Sequence, residues 1–182
     1  EGMRGRLDEA WALFDRAVSR GVSGVRASVA LYAEPLFELD PARAEVELRC
    51  VIRTLDELGV RTGRPPAEAM LAEALLARGA RDEAATVLTG PIDLPGPKDA
   101  STEILRCRAR GRIEGGREGA ALVHEAVALA RSTESPHWLA GALVALAEVT
   151  ETQGPLVEAA SLWRQKGNII AASRLDIGAR AR

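Results

Sequence analysis

The chain has 182 residues, of which 47% are hydrophobic and only 3% aromatic, and its formal charge at neutral pH is −2. That length can bury a sizeable core, and the hydrophobic share excludes a disordered chain. The near-neutral charge gives no electrostatic case for nucleic acid or an anionic membrane as the main partner. Alanine is abundant and alternating β-branched runs are nearly absent, which suits closely packed helices better than sheets. Cys50 and Cys107 stand far apart with no Cys-x-x-Cys pair, so no disulfide framework is expected and a reducing cytoplasm is the simpler setting. No basic segment followed by an apolar run opens the chain, and the longest apolar run, Trp138 to Ala147, is short of the roughly 20 residues a bilayer requires.

Met3 to Ser19 reads as a helix with Leu7, Ala10, Phe14 and Ala17 on one face and Asp8 and Glu9 near its start, where acids suit the helix dipole. Ser23 to Leu39 follows, striped by Val25, Val29, Tyr32 and Leu36, with a kink or break expected at Pro35. Asp40-Pro41 is a cap followed by a first-turn proline, opening a third helix to about Leu58 with Ala44, Leu48, Val51 and Leu55 inward. Pro65-Pro66 starts a fourth, with Ala69, Ala72, Leu75 and Leu76 inward and Gly79 as its end. A short fifth runs from Arg81 to Leu88.

Residues 89–98 hold Gly90, Pro91, Pro95, Gly96 and Pro97, and read as a long loop within a single array spanning 1–182. Asp99 or Ser101 caps a sixth helix through Ile104, Leu105, Cys107 and Ala109, weakened by Gly111 at its end. Gly115-Gly116 turns the chain into a seventh, Arg117 to Arg131. Ser135-Pro136 opens an eighth whose Trp138, Ala142, Ala145 and Val149 share a face flanked by Leu139, Leu143 and Leu146. A helix apolar around so much of its girth must be covered on more than one side. A Gly-Pro corner at Gly154 leads to a ninth helix, and residues 168–180 read as a capping helix.

One spacing recurs in the second helix of each pair. It appears as Leu7-x-x-Ala10-x-x-x-Phe14, Pro41-x-x-Ala44-x-x-x-Leu48, Arg81-x-x-Ala84-x-x-x-Leu88, Gly116-x-x-Gly119-x-x-x-Val123 and Leu156-x-x-Ala159-x-x-x-Trp163. The small residue admits a neighbouring helix, the large one fills the gap a turn later, and Gly5, Gly79 and Gly154 are expected to make the corners. Ala10 and Ala44 lie 34 residues apart, and later steps are longer. The pattern resembles the tetratricopeptide repeat, a helix–turn–helix unit of about 34 residues. The fold expected is therefore all-α, a TPR-like α-solenoid of antiparallel helix pairs in a right-handed superhelix. Too little chain precedes Gly5 to supply a partner for the first helix, so an upstream continuation, or a partner over that end, is expected.

Several stretches carry a closer resemblance: Met3-Arg4-Gly5-Arg6-Leu7-Asp8-Glu9-Ala10, Glu45-Val46-Glu47-Leu48-Arg49, Leu71-Ala72-Glu73-Ala74-Leu75, His124 to Ala130, Leu146-Ala147-Glu148-Val149, and the tail Lys166 to Arg174. Together they are similar to the C-terminal helical region of actinobacterial signalling proteins in which a class III adenylate/guanylate cyclase domain and an AAA/STAND-type ATPase domain precede the repeats. The resemblance implies a sensor or autoinhibitory scaffold. It carries over no active site, because the cyclase and nucleotide-binding motifs belong to domains absent from this chain.

The residues themselves offer little chemistry. His124-Glu125 lacks the second histidine of a zincin, since Ala128 stands four positions on, and His137 beside Trp138 is expected to pack. Cys50 and Cys107 fall within apolar helices and read as small buried hydrophobes. Gly111 to Gly119 lacks the Gly-Lys-Ser/Thr of a phosphate loop. Arg106, Arg108, Arg110 and Arg112 form the best basic cluster, of which only Arg106 and Arg110 share a helix face, and Glu103 can reach Arg106. A solvated face is the simpler reading. The sharper one makes Arg106 and Arg110 a partner- or anion-binding spot on the inner surface of the solenoid. The chain is thus expected to be a non-catalytic interaction or regulatory module. It needs no cofactor or metal, and it holds a protein, a peptide or another domain of the same protein. The alternatives are a regulatory segment of a nucleotide cyclase or ATPase, and the effector-sensing region of a LuxR-type transcription regulator.

Overall fold

The computed structural model describes residues 6–19, 33–89 and 99–180, with the backbone alone at 34, 35 and 176–180. Every regular element among the described residues is a helix. They fall into two compact units, 6–89 and 99–180. The expected stripe of Val25, Val29 and Tyr32, residues 90–98 of the expected loop, and the side chain of Ile177 in the expected capping helix lie outside the described residues.

The first unit holds α1 (Leu7–Ser19), α2 (Glu34–Phe37), α3 (Pro41–Glu57), α4 (Arg64–Ala77) and α5 (Arg81–Val87). α3 packs on α4 and α4 on α5, while α2 touches α1, α3 and α4. α3 begins as its sequence dictates: the Asp40 side chain accepts from the Arg43 N–H at 3.2 Å, and Pro41 occupies the first turn. Its stripe of Ala44, Leu48, Val51 and Leu55 is buried. α4 is covered far more widely than one stripe, with Ala67, Ala69, Met70, Leu71, Ala72, Ala74 and Leu75 all buried. Pro35 sits in the first turn of α2, where Leu36 and Phe37 both donate to the Ala33 carbonyl and no proline N–H is needed.

α1 keeps Phe14 buried and Leu7 and Ala10 half-buried, but departs from its expected face at Ala17. Ala17 is exposed, and the buried pair is Trp11 and Phe14. An aromatic ring buries far more area than an alanine methyl, so Trp11 sets the helix rotation. Its ring meets Phe14 edge-on at 5.4 Å and stacks on Phe37 of α2 at 5.9 Å. Arg43 of α3 lies 4.0 Å above the same ring and pairs with Asp15 at 2.6 Å. Further along α3, buried Glu45 accepts from Arg49 and from Arg78 of the α4 C-terminus, and Arg49 also reaches Glu83 on α5. This ion-pair chain ties three helices together.

The second unit holds α6 (Ala100–Glu114), α7 (Gly116–Ser132), α8 (Pro136–Thr150), α9 (Gly154–Lys166) and α10 (Ile169–Arg180). Each helix packs on the next, and α6 also touches α8. Ile104, Val123, Ala126, Leu143 and Trp163 are central to its core. α8 is covered around most of its girth, as its composition demands. Ser135 precedes it without a side-chain capping bond. α6 does not weaken at Gly111 but continues to Glu114, because Gly111 serves a helix contact rather than an end.

Four corners share one device, a backbone bond that closes the last helical turn around a left-handed residue. Val60 donates to Leu55, Ala80 to Leu75, Asn168 to Trp163 and Thr152 to Ala147. Gly59, Gly79 and Gly167 supply the left-handed residue in the first three. The fourth uses Glu151, at φ 55°, while Gly154 begins α9; the expectation that Gly154 makes that corner is corrected. Arg64 reinforces the first corner, its Nε donating to Glu68 at 2.7 Å and its Nη1 reaching Asp56. These two carboxylates, Glu68 foremost, raise the guanidinium pKa.

Candidate functional site: the arginine face of α6

α6 is placed by its cap. Asp99 Oδ2 accepts from the Thr102 N–H at 3.0 Å and the Thr102 hydroxyl at 2.8 Å, and the Ser101 hydroxyl also donates to it. Partial burial works to raise the Asp99 pKa, but the donors, Ser101 first and Thr102 next, outweigh it and hold the carboxyl below its ordinary value. The helix then carries an arginine at every second position from 106 to 112. At 100° per residue these fall on two opposed faces, Arg106 with Arg110 and Arg108 with Arg112, which corrects the expectation that only the first pair shares a face, and each of the four meets a different environment.

Arg108 is the most deeply buried, at 3% exposure. Its guanidinium lies across Gly141 of α8, where a Cβ would stand 2.5 Å from Nη1 and 2.8 Å from Cζ. Glycine lets the planar guanidinium lie against the helix backbone; a side chain there would push it aside. One turn on, Arg112 Nε donates to Glu148 Oε2 of α8 at 2.6 Å. That cation is mostly buried, with 16% of its side chain exposed, and its acid is 54% exposed. His137, one turn before Gly141, is also buried. α6 and α8 therefore meet through a polar seam, whereas α6 and α7 meet at Gly111 and Gly119.

The two arginines singled out by sequence are separated by environment. Arg106 is buried at 9% exposure, which corrects the reading of a wholly solvated face. Arg110, one turn later, is exposed, and its Nη2 donates to Glu114 Oε1 at 3.0 Å. Of the pair, only Arg110 is exposed to solvent.

Burial foremost pushes the Cys107 thiol up to about 11, so it stays protonated at neutral pH. His124 is exposed, and no group of three metal-ligating side chains gathers among the described residues. No described helix is long and apolar enough to cross a membrane. Sequence reasoning counted Arg108 only as one of a basic cluster and passed over Gly141. A signal was there: a lone glycine inside an Ala/Leu-rich helix costs about 1 kcal/mol against alanine and marks a close approach.

No protein-family model matches the chain, and no curated protein or solved structure matches it.

Proposed function

We propose that the chain is a non-catalytic interaction module built from antiparallel helix pairs of the tetratricopeptide-like kind, wound as a right-handed α-solenoid. It holds a protein or peptide, or another domain of the same protein. The observation that carries this reading is the shared role of the spaced positions. The large residue is buried in all five copies, at Phe14, Leu48, Leu88, Val123 and Trp163. The small residue a turn earlier is buried in four of them, Ala44, Ala84, Gly119 and Ala159, and half-buried at Ala10. One packing job repeated along successive pairs supports a repeat unit, and stacked units of this kind offer extended binding surfaces.

Within this reading Arg110 is the partner-facing cation, with Arg106 behind it on the same side of α6. A partner carboxylate or other anion takes the place of Glu114 on Arg110. The test is a photo-crosslinking residue at position 110 in the native host, with exposed Glu125 of α7 as the control position. A discrete adduct at 110 and none at 125 is the expected result. Equal labelling at both, or none at either, overturns the assignment. Turnover of ATP or GTP by the purified chain well above background overturns the non-catalytic half.

The second reading makes the chain a regulatory segment of a class III cyclase or ATPase, or an effector-sensing region of a LuxR-type regulator. Its support is the resemblance carried by the tail from Lys166. Gly167 is left-handed there, at φ 76°, and Asn168, 1% exposed, accepts from the Ala171 N–H at 3.3 Å to start α10. The corner gives both residues a local role, so the tail weighs less as a family mark, and this reading ranks second. Cyclase or ATPase output of the natural gene product, measured with and without this segment, decides it.

A further inference from the structure

No further inference is drawn: the strongest candidate, the exposed apolar pair Leu58 and Val60 on the turn between α3 and α4, is a surface patch, and nothing in the structure shows what covers it.

Discussion

Gly111 on α6 and Gly119 on α7 face each other so closely that neither can carry a methyl group. A Cβ at Gly119 would strike the Gly111 carbonyl oxygen, and one at Gly111 would strike Val123 and stand 2.8 Å from the Gly119 carbonyl oxygen. Helix propensity alone favours alanine at either position by about 1 kcal/mol. Overlap with backbone opposes it, since neither helix can yield without moving whole, and overpacking typically costs about 1–3 kcal/mol. Gly111→Ala and Gly119→Ala are therefore expected to lower the urea midpoint despite their better propensity. Gly141→Ala is expected to cost less, because its neighbour is the far end of Arg108. A raised midpoint for Gly111→Ala would mean that the two helices stand further apart.

Glu151 carries the opposite lesson. It holds a left-handed conformation, at φ 55°, that glycine holds at the three equivalent corners. An L-residue pays about 1–2 kcal/mol there, and glycine returns part of that gain through its freer unfolded chain. Glu151→Gly is expected to stabilise the protein by about 0.5–1 kcal/mol, read from the denaturant midpoint at constant m-value. Gly79→Ala is expected to do the reverse.

These pairs mark how far the sequence could be read. Element order was legible because caps and corners are local: Asp40-Pro41 and Gly79 announce themselves, although Gly167 did not. The inward stripe of α3 was legible because one face is buried. α1 was legible only in part, because a period of 3.6 fits neighbouring faces, and Trp11 rather than Ala17 decides the rotation. The arginine row was misread for a deeper reason. Alternation along α6 says where each side chain points, but not what stands there. Only the arrival of Gly141 and Glu148 from α8 separates a buried guanidinium from a solvated one. Glu151 was hidden because nothing about a glutamate signals positive φ, and the nearby Gly154 offered itself instead.

Asp99 gives a pH-dependent prediction. Its carboxyl is held below its ordinary value by Ser101 and Thr102 against the effect of burial. A depressed folded pKa contributes stability above the unfolded value and loses it as pH falls through the folded one. Asp99→Ala removes the cap as well as the charge and is expected to cost about 1 kcal/mol at pH 7. Asp99→Asn keeps an acceptor and isolates the charge. Its deficit against the parent, measured by urea unfolding, is expected to shrink as pH drops below about 4, the usual carboxylate value. A deficit that stays constant into acid would show that the ionised form gains nothing from its donors.

Cys107 makes a prediction of opposite sign. Its thiol is pushed up to about 11, chiefly by burial. The folded state thus favours the neutral thiol. That contribution is complete below the unfolded value of about 8.5 and is lost as pH rises toward 11. At pH 8 roughly one thiol in a thousand is ionised, and the sulfur is also buried. Iodoacetamide at pH 8 is expected to modify half-buried Cys50 first and Cys107 only on unfolding, as read by peptide mass spectrometry. Equal rates would show that α6 and α7 part readily in the native protein.

Arg106 and Arg110 offer the sharpest division between packing and binding. From sequence alone, both should be replaceable by alanine without harm to the fold. In the structure Arg106 is buried, so truncating it removes a long apolar stem from a packed position and is expected to cost about 1–3 kcal/mol. Arg110 is exposed and makes an i,i+4 pair with Glu114, worth only about 0.3–0.5 kcal/mol. Arg110→Ala should therefore leave the unfolding midpoint nearly unchanged while weakening capture of the partner found by crosslinking. Arg106→Ala should lower the midpoint whatever it does to the partner. If Arg110→Ala keeps full partner affinity, the cation at 110 is ordinary helix surface, and the binding face must be sought on another helix.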